Sequence, residues 1–202
     1  MKKINIMLVG VGGQGTLLAS RVLGNVALKQ SYDVKVSEVH GMSQRGGSVV
    51  TYVKFGGKVH SPLIEKGEAD IIIAFEQLEA LRWIEYLREN GKLIINEQRI
   101  DPMPVIIGNA KYPENIIEKI KGKISNTISI DAIGIAKSCG NIKAANIVLV
   151  GVMAASTEIA KDIWVEAMKE IIPPKLMDFN LKAFESGYCK GLDADSISKK
   201  RN

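Results

Sequence analysis

The sequence predicts an α/β fold: a mostly parallel sheet with helices on both faces, an inserted β-hairpin and a helical C-terminal part. Three observations predict it. Short apolar runs bounded by glycine and polar turns alternate with stretches of helical periodicity through the first two thirds of the chain. The first of these runs ends in a glycine turn that opens a helix. From Ala144 onward the apolar residues keep helical spacing and no strand pattern returns. With 202 residues, 46% hydrophobic and 24% charged, the chain suits a single globular domain with a real core. We place that domain at 1–192 and read 193–202, rich in Ser, Asp and Lys without periodicity, as a mobile tail.

Ile4 to Val9 is a near-continuous apolar run and reads as a buried strand, followed by a helix on which Leu18, Val22 and Val26 share one face. Val34 to Val39 makes a second strand, which completes a βαβ unit with an expected parallel pair. Val49 to Phe55 and Val59 to Ile64 flank Gly56-Gly57-Lys58 and read as a β-hairpin on an antiparallel edge. Ala69 to Phe75 is a buried strand. Glu76 to Glu89 reads as a helix with Leu78, Leu81, Ile84 and Leu87 inward and Gly91 as its stop. Lys92 to Asn96, Val105 to Ile107 and Thr127 to Ile130 read as strands, with a short helix at Pro113 to Ile120. Ala144 to Ala160, apolar almost all round, predicts a helix buried on most faces. Asp162 to Ile171 and Lys175 to Tyr188 are two further helices, parted by Pro173-Pro174.

Composition excludes several function classes. A net charge of +5, with acids scattered among the bases, makes no nucleic-acid surface. Cys139 and Cys189 are the only cysteines and His40 and His60 the only histidines, so the chain cannot ligate an iron–sulfur cluster of its own and no metal site is expected. The start, Met1-Lys2-Lys3, leads straight into the first strand without a signal-peptide pattern, and the longest apolar run, Ile147 to Ala155, is far below the roughly 18 residues of a membrane span. A cytoplasmic protein is expected, with no membrane partner.

The turn Gly10-Val11-Gly12-Gly13-Gln14-Gly15 fits G-x-G-x-x-G between a strand and a helix, as in Rossmann-like folds. Such glycines allow a tight turn, close backbone approach to a phosphate and close helix packing, and the helix start offers free N–H groups. The turn therefore either holds an anion or only packs strand against helix. No lysine follows Gly15, so it is not a phosphate-transferring P-loop. Glu38, at the end of the second strand, formally supplies the ribose-binding acid of an NAD(P)-dependent dehydrogenase, or else is an edge carboxylate paired with Arg45. Gln14, unusual in such a turn, contacts either a ligand or a neighbouring subunit.

In an open parallel sheet the ligand crevice lies beyond the C-terminal strand ends. Four segments meet there: the glycine turn, Glu38 to Gly47, Phe75-Glu76 and Asn96-Glu97. The second of them, His40-Gly41-Met42-Ser43-Gln44-Arg45-Gly46-Gly47, combines polar and cationic side chains with glycines that let a partner approach. Arg45 is its leading candidate for function, with a plain surface arginine as the alternative. Asn146, inside the apolar helix, is either a core amide bonded to backbone or part of a shared site, and Glu76 is expected to serve a helix N-terminus. No Ser-His-Asp set, paired helical carboxylates or activated cysteine is in view.

Two segments, IMLVGVGGQGTLLAS at Ile6 to Ser20 and EVHGMSQRGGSV at Glu38 to Val49, closely resemble the gamma-domain family of 2-oxoacid:ferredoxin oxidoreductases, within it the beta subunits acting on indolepyruvate. The likeness extends through Ala69 to Glu97 and Ala144 to Ala160. The resemblance implies a subunit of a complex that decarboxylates 2-oxoacids oxidatively to acyl-CoA and passes electrons to ferredoxin. It further implies that thiamine diphosphate, Mg2+ and [4Fe-4S] clusters reside in a large catalytic (alpha) partner, with coenzyme A as cosubstrate. By the same resemblance Gly10, Gly12, Gly13, Gln14 and Gly15 hold phosphate groups, and Glu38, His40, Ser43, Gln44, Arg45 and Gly46 face the partner or substrate. A chain separated from such a partner exposes an interface and is expected to pair with itself.

Overall fold

The structure is a computed structural model that describes residues 3–40 and 46–199. Its centre is a six-stranded sheet made of β1 (Ile4–Val11), β2 (Asp33–His40), β3 (Ser48–Gly56), β4 (Ala69–Ala74), β5 (Leu87–Asn96) and β6 (Thr127–Ile130), in the order β2-β3-β1-β4-β5-β6. β1, β4, β5 and β6 run parallel, whereas β3 is antiparallel to both β1 and β2.

Strand alternation divides the core. On β1, Ile6 and Leu8 face one cluster and Met7 and Val9 the other. The first cluster lies under α1 (Thr16–Lys29), α5 (Ala132–Ser138), α6 (Ala145–Ala155), α7 (Lys161–Ile171) and α8 (Met177–Lys199). The second is covered by α2 (Gln77–Trp83) and α4 (Ile116–Lys121), which insert Leu78, Ala80, Ile116 and Ile120. α6 is buried from Asn146 through Ala154, as its all-round apolar sequence requires.

Several elements differ from the sequence expectations. β3 is an interior strand: Val49 to Val53 are all buried, and it parts β1 from β2, which therefore point the same way without pairing. Its antiparallel partners are β1 and β2, and Val59 to Ile64 forms no strand; Pro62 lacks the N–H a ladder needs. The helix expected to Glu89 ends at Trp83, because Leu87 already pairs with Ala69 and Gly91 falls inside β5. Here strand pairing overrides helical spacing. Val105 to Ile107, read as a strand, instead makes the end and C-cap of a single helical turn, α3 (Met103–Ile106), which Pro102 precedes and Pro104 enters without cost. α5 has no counterpart in the sequence reading. α8 continues to Lys199 through the segment expected to be an irregular tail.

Candidate functional site: the crevice at the glycine turn

β1 leads through the turn into α1 and β2 on one side, while β4 leads through α2 into β5 on the other, so the connections diverge between β1 and β4. A crevice of about 480 Å³ opens at this switch point. Gly13, Gln14, Gly15, Asn96, Gln98 and Asn146 supply most of its polar wall, and Leu18, Phe75, Ile133 and Leu149 its apolar wall. Among the described residues, Lys143 is the one charged side chain on the lining and no acid contributes to it.

The five residues of the turn divide between scaffold and wall. A Cβ on Gly10 would fall 2.8 Å from Gln14 Oε1 and 2.9 Å from Phe75 Cβ, so this glycine admits two neighbours and does not reach the crevice. The Gly12 N–H donates to Gly47 O at 2.9 Å, which ties the two glycine-rich loops together. Gly13 (φ +103°) and Gly15 (φ +84°) take left-handed backbone, and both line the crevice. Gly15 is the N-cap of α1 and has no side-chain cap, so the first N–H groups of a 14-residue helix are left for a ligand or solvent.

Gln14 is half-buried on the crevice wall, and both ends of its amide are bonded within the chain. Its Oε1 accepts from Val11 N–H at 2.7 Å, and its Nε2 donates to Phe75 O and Gln98 Oε1, both at 2.9 Å. One amide thus binds the ends of β1, β4 and β5. Asn96 repeats the device, with Oδ1 accepting from Ala132 N–H at 3.1 Å and Nδ2 donating to Phe75 O at 3.0 Å. Asn146 is bonded to backbone, its Nδ2 donating to Gly15 O at 3.1 Å, and it lines the crevice.

Next to the crevice, α2 starts on a buried carboxylate. Glu76 caps the helix by accepting from Glu79 N–H at 3.0 Å and also accepts from Ile100 N–H and from the Tyr112 hydroxyl. Burial, reinforced by that carboxylate, raises the Tyr112 phenol well above its ordinary pKa. Glu79, equally buried, accepts from Arg82 and from the Ser48 hydroxyl, the latter at 2.5 Å.

Of the second loop, Glu38 accepts from the Thr51 hydroxyl at 2.9 Å across the β2–β3 pair. Because β3 intervenes, Glu38 stands two strands, about 10 Å, from the glycine turn. The acid of a dinucleotide site would sit on the neighbouring strand, so this geometry corrects the dehydrogenase alternative. The backbone of His40 pairs with Val49, and Gly46 is exposed at φ +78°. Ser43, Gln44 and Arg45 lie outside the described residues. The sequence reading missed Gln98 and Lys143. Gln98 was detectable from its place just beyond a parallel strand, but nothing in the sequence marks Lys143, whose position depends on how α6 packs.

Among the described residues no group of three or more His, Cys, Asp and Glu side chains is placed to hold a metal ion, and no helix is long and apolar enough to cross a membrane. Cys139 is half-buried beside Ser186 and Cys189 is exposed.

Comparison with known proteins supplies the family. The sequence profile of the pyruvate ferredoxin/flavodoxin oxidoreductase family matches residues 5–189. The chain is 42% identical to the indolepyruvate oxidoreductase subunit IorB of Pyrococcus horikoshii, over 93% of this chain and 95% of the relative. It is 26% identical to the pyruvate/ketoisovalerate oxidoreductases common subunit gamma of Thermococcus kodakarensis, over 93% and 96%. Among solved structures, the keto/oxoacid ferredoxin oxidoreductase gamma subunit of Geobacter sulfurreducens superposes with a TM-score of 0.71 at 25% identity, covering 94% of this chain and 99% of that one. The chain belongs to the pyruvate ferredoxin/flavodoxin oxidoreductase family.

Proposed function

We propose that this chain, as a subunit of a 2-oxoacid:ferredoxin oxidoreductase, serves aryl pyruvates such as indolepyruvate and completes the place where coenzyme A enters the reaction. In that reaction the bond between carboxylate and keto carbon breaks and CO2 leaves. The acyl carbon gives up two electrons to ferredoxin, and the thiol of coenzyme A loses its proton and forms the thioester. The observation that carries the substrate class is the markedly higher identity to the indolepyruvate relative than to the pyruvate/ketoisovalerate subunit, over nearly equal lengths.

The residues present decide which groups fit this chain. Two cysteines, one half-buried beside a serine and one exposed, offer no four-thiolate cluster site. The described residues of the crevice include no carboxylate, a donor set that does not suit the magnesium of a thiamine diphosphate. These groups belong to the large alpha partner, where thiamine diphosphate supplies the carbanion chemistry of decarboxylation and [4Fe-4S] clusters the electron path.

Coenzyme A fits differently. A wall of backbone and amide donors with a single lysine suits phosphate, and the apolar side suits the remainder of a phosphate-bearing molecule. In this reading Gly13 and Gly15 hold the phosphate directly, Gly10, Gly12 and Gln14 set the shape of the turn, and the loop from Glu38 to Gly46 meets the partner. Domain 1–192 then acts as one body in a cytoplasmic heteromer. Co-expression with the adjacent large subunit, followed by thiamine-dependent assays over several 2-oxoacids, tests the reading. Turnover of aryl pyruvates in preference to pyruvate supports it, and preference for pyruvate or a branched 2-oxoacid overturns the substrate class.

A further inference from the structure

Hydrogen bonds that end on backbone fix which way an amide points, because a main-chain N–H only donates and a carbonyl only accepts. Gln14 is fixed twice: its oxygen accepts from Val11 N–H and its nitrogen donates to Phe75 O. Asn96 is fixed likewise, its oxygen toward Ala132 N–H and its nitrogen toward Phe75 O. Both nitrogens then have a hydrogen left, and both turn it toward one atom, Gln98 Oε1, at 2.9 Å from Gln14 and 3.4 Å from Asn96. Gln98 must therefore present its oxygen inward. Its NH2 group remains on a half-buried side chain that lines the crevice. Among the described residues the same wall carries Lys143 and no acid.

We propose that Gln98 is a specificity-determining residue, whose side-chain NH2 donates to a phosphate of the crevice ligand while Lys143 offsets the phosphate charge. The inference rests on the reading of the crevice as the coenzyme A side of the complex. It adds that the pocket selects its ligand by phosphate. A ligand presenting only donors meets Gln98 and Lys143 with nothing to accept, and an anion satisfies both.

Gln98→Glu is the informative substitution. It is isosteric and keeps an oxygen in place to accept from Gln14 and Asn96, so the internal network survives. The crevice-facing donor becomes a carboxylate. In the co-expressed complex, the KM for coenzyme A is expected to rise about tenfold or more with kcat within about twofold, the effect of losing a hydrogen bond to a charged group. With pantetheine, the phosphate-free thiol, as cosubstrate, Gln98→Glu is expected to leave KM unchanged. Lys143→Met is expected to raise the KM for coenzyme A in the same selective way.

A second readout needs no partner. Inorganic pyrophosphate added to the full chain is expected to shift the backbone amide resonances of Gly13 and Gly15 and the side-chain amide of Gln98, with the backbone shifts lost in Gln98→Glu. If the pyrophosphate response is present and lost in this way while the assembled complex turns over no 2-oxoacid with coenzyme A, the phosphate site stands and the functional reading fails. If Gln98→Glu matches the parent protein in both readouts, or raises KM for pantetheine and coenzyme A alike, the role of Gln98 is overturned.

Discussion

Gly187 in α8 lies directly against the backbone carbonyl of Val148 in α6, in the space a side chain would need. Gly151 meets Phe184 O from the opposite helix in the same way, and Gly191 meets Val152 O. Backbone is in contact with backbone here, so no rotamer change can make room. Gly187→Ala is expected to destabilise the chain by about 3 kcal/mol and lower Tm by roughly 6–12 °C. Gly122→Ala, at ordinary helical φ with its nearest neighbours 3.5 Å away, is the control and should stay within about 0.5 kcal/mol. Thermal unfolding of both variants checks the contrast.

Removing the Gln14 amide leaves the Val11 N–H without its acceptor and frees the end of β5 from that of β1. Gln14→Ala should cost about 1–3 kcal/mol in urea unfolding. Gln14→Glu should cost at least as much at pH 8, since a carboxylate oxygen would then face Phe75 O and Gln98 Oε1. A Gln14→Ala protein as stable as the parent would remove the amide from its structural role.

Tyr112 gives a pH dependence of definite sign. Its folded pKa is raised by burial and by the Glu76 hydrogen bond, so the native state keeps the proton after the unfolded chain has lost it near pH 10. Above that pH the folded state binds more protons than the unfolded one, and this contribution to stability falls by about 1.4 kcal/mol per pH unit as pH rises. The Tyr112→Phe variant loses this part of the slope, at a cost of about 1–2 kcal/mol at neutral pH as Glu76 loses a donor. Urea titrations of both proteins at pH 8, 9.5 and 10.5 measure the difference.

Arg45→Ala is expected to lower the activity of the assembled complex on the order of tenfold, the worth of one charged interfacial contact, and to shift stability by less than about 0.5 kcal/mol. Steady-state rates at saturating coenzyme A and 2-oxoacid, beside a melting curve, separate the two effects. Unchanged rates with unchanged subunit affinity would deny Arg45 its role.

The sequence made some of this architecture plain because one chemical signal was enough. The apolar strands Ile4 to Val9 and Ala69 to Phe75 and the all-apolar α6 are legible without tertiary information. The place of β3 was not, since a buried strand reads the same at either side of β1 and only pairing distinguishes them. Leu78, Leu81, Ile84 and Leu87 repeat at helical spacing, yet the pairing of Leu87 with Ala69 draws the last of them into a strand. At the site, the glycine turn announced itself by spacing. The roles of Gln14 and Gln98 depend on which polar groups lie beside them, and two of those bonded to Gln14, the Phe75 carbonyl and the Gln98 side chain, lie 61 and 84 positions beyond it.

In the proposed function this polypeptide completes a reaction centre whose redox groups are carried by another chain. Ferredoxin reduction by indolepyruvate and coenzyme A, measured for the purified chain, the purified large subunit and the co-expressed pair, tests it most directly. The account predicts thiamine-dependent turnover by the pair and none by this chain alone. A purified chain that, free of other proteins, retains its own redox group and oxidises the 2-oxoacid would contradict it.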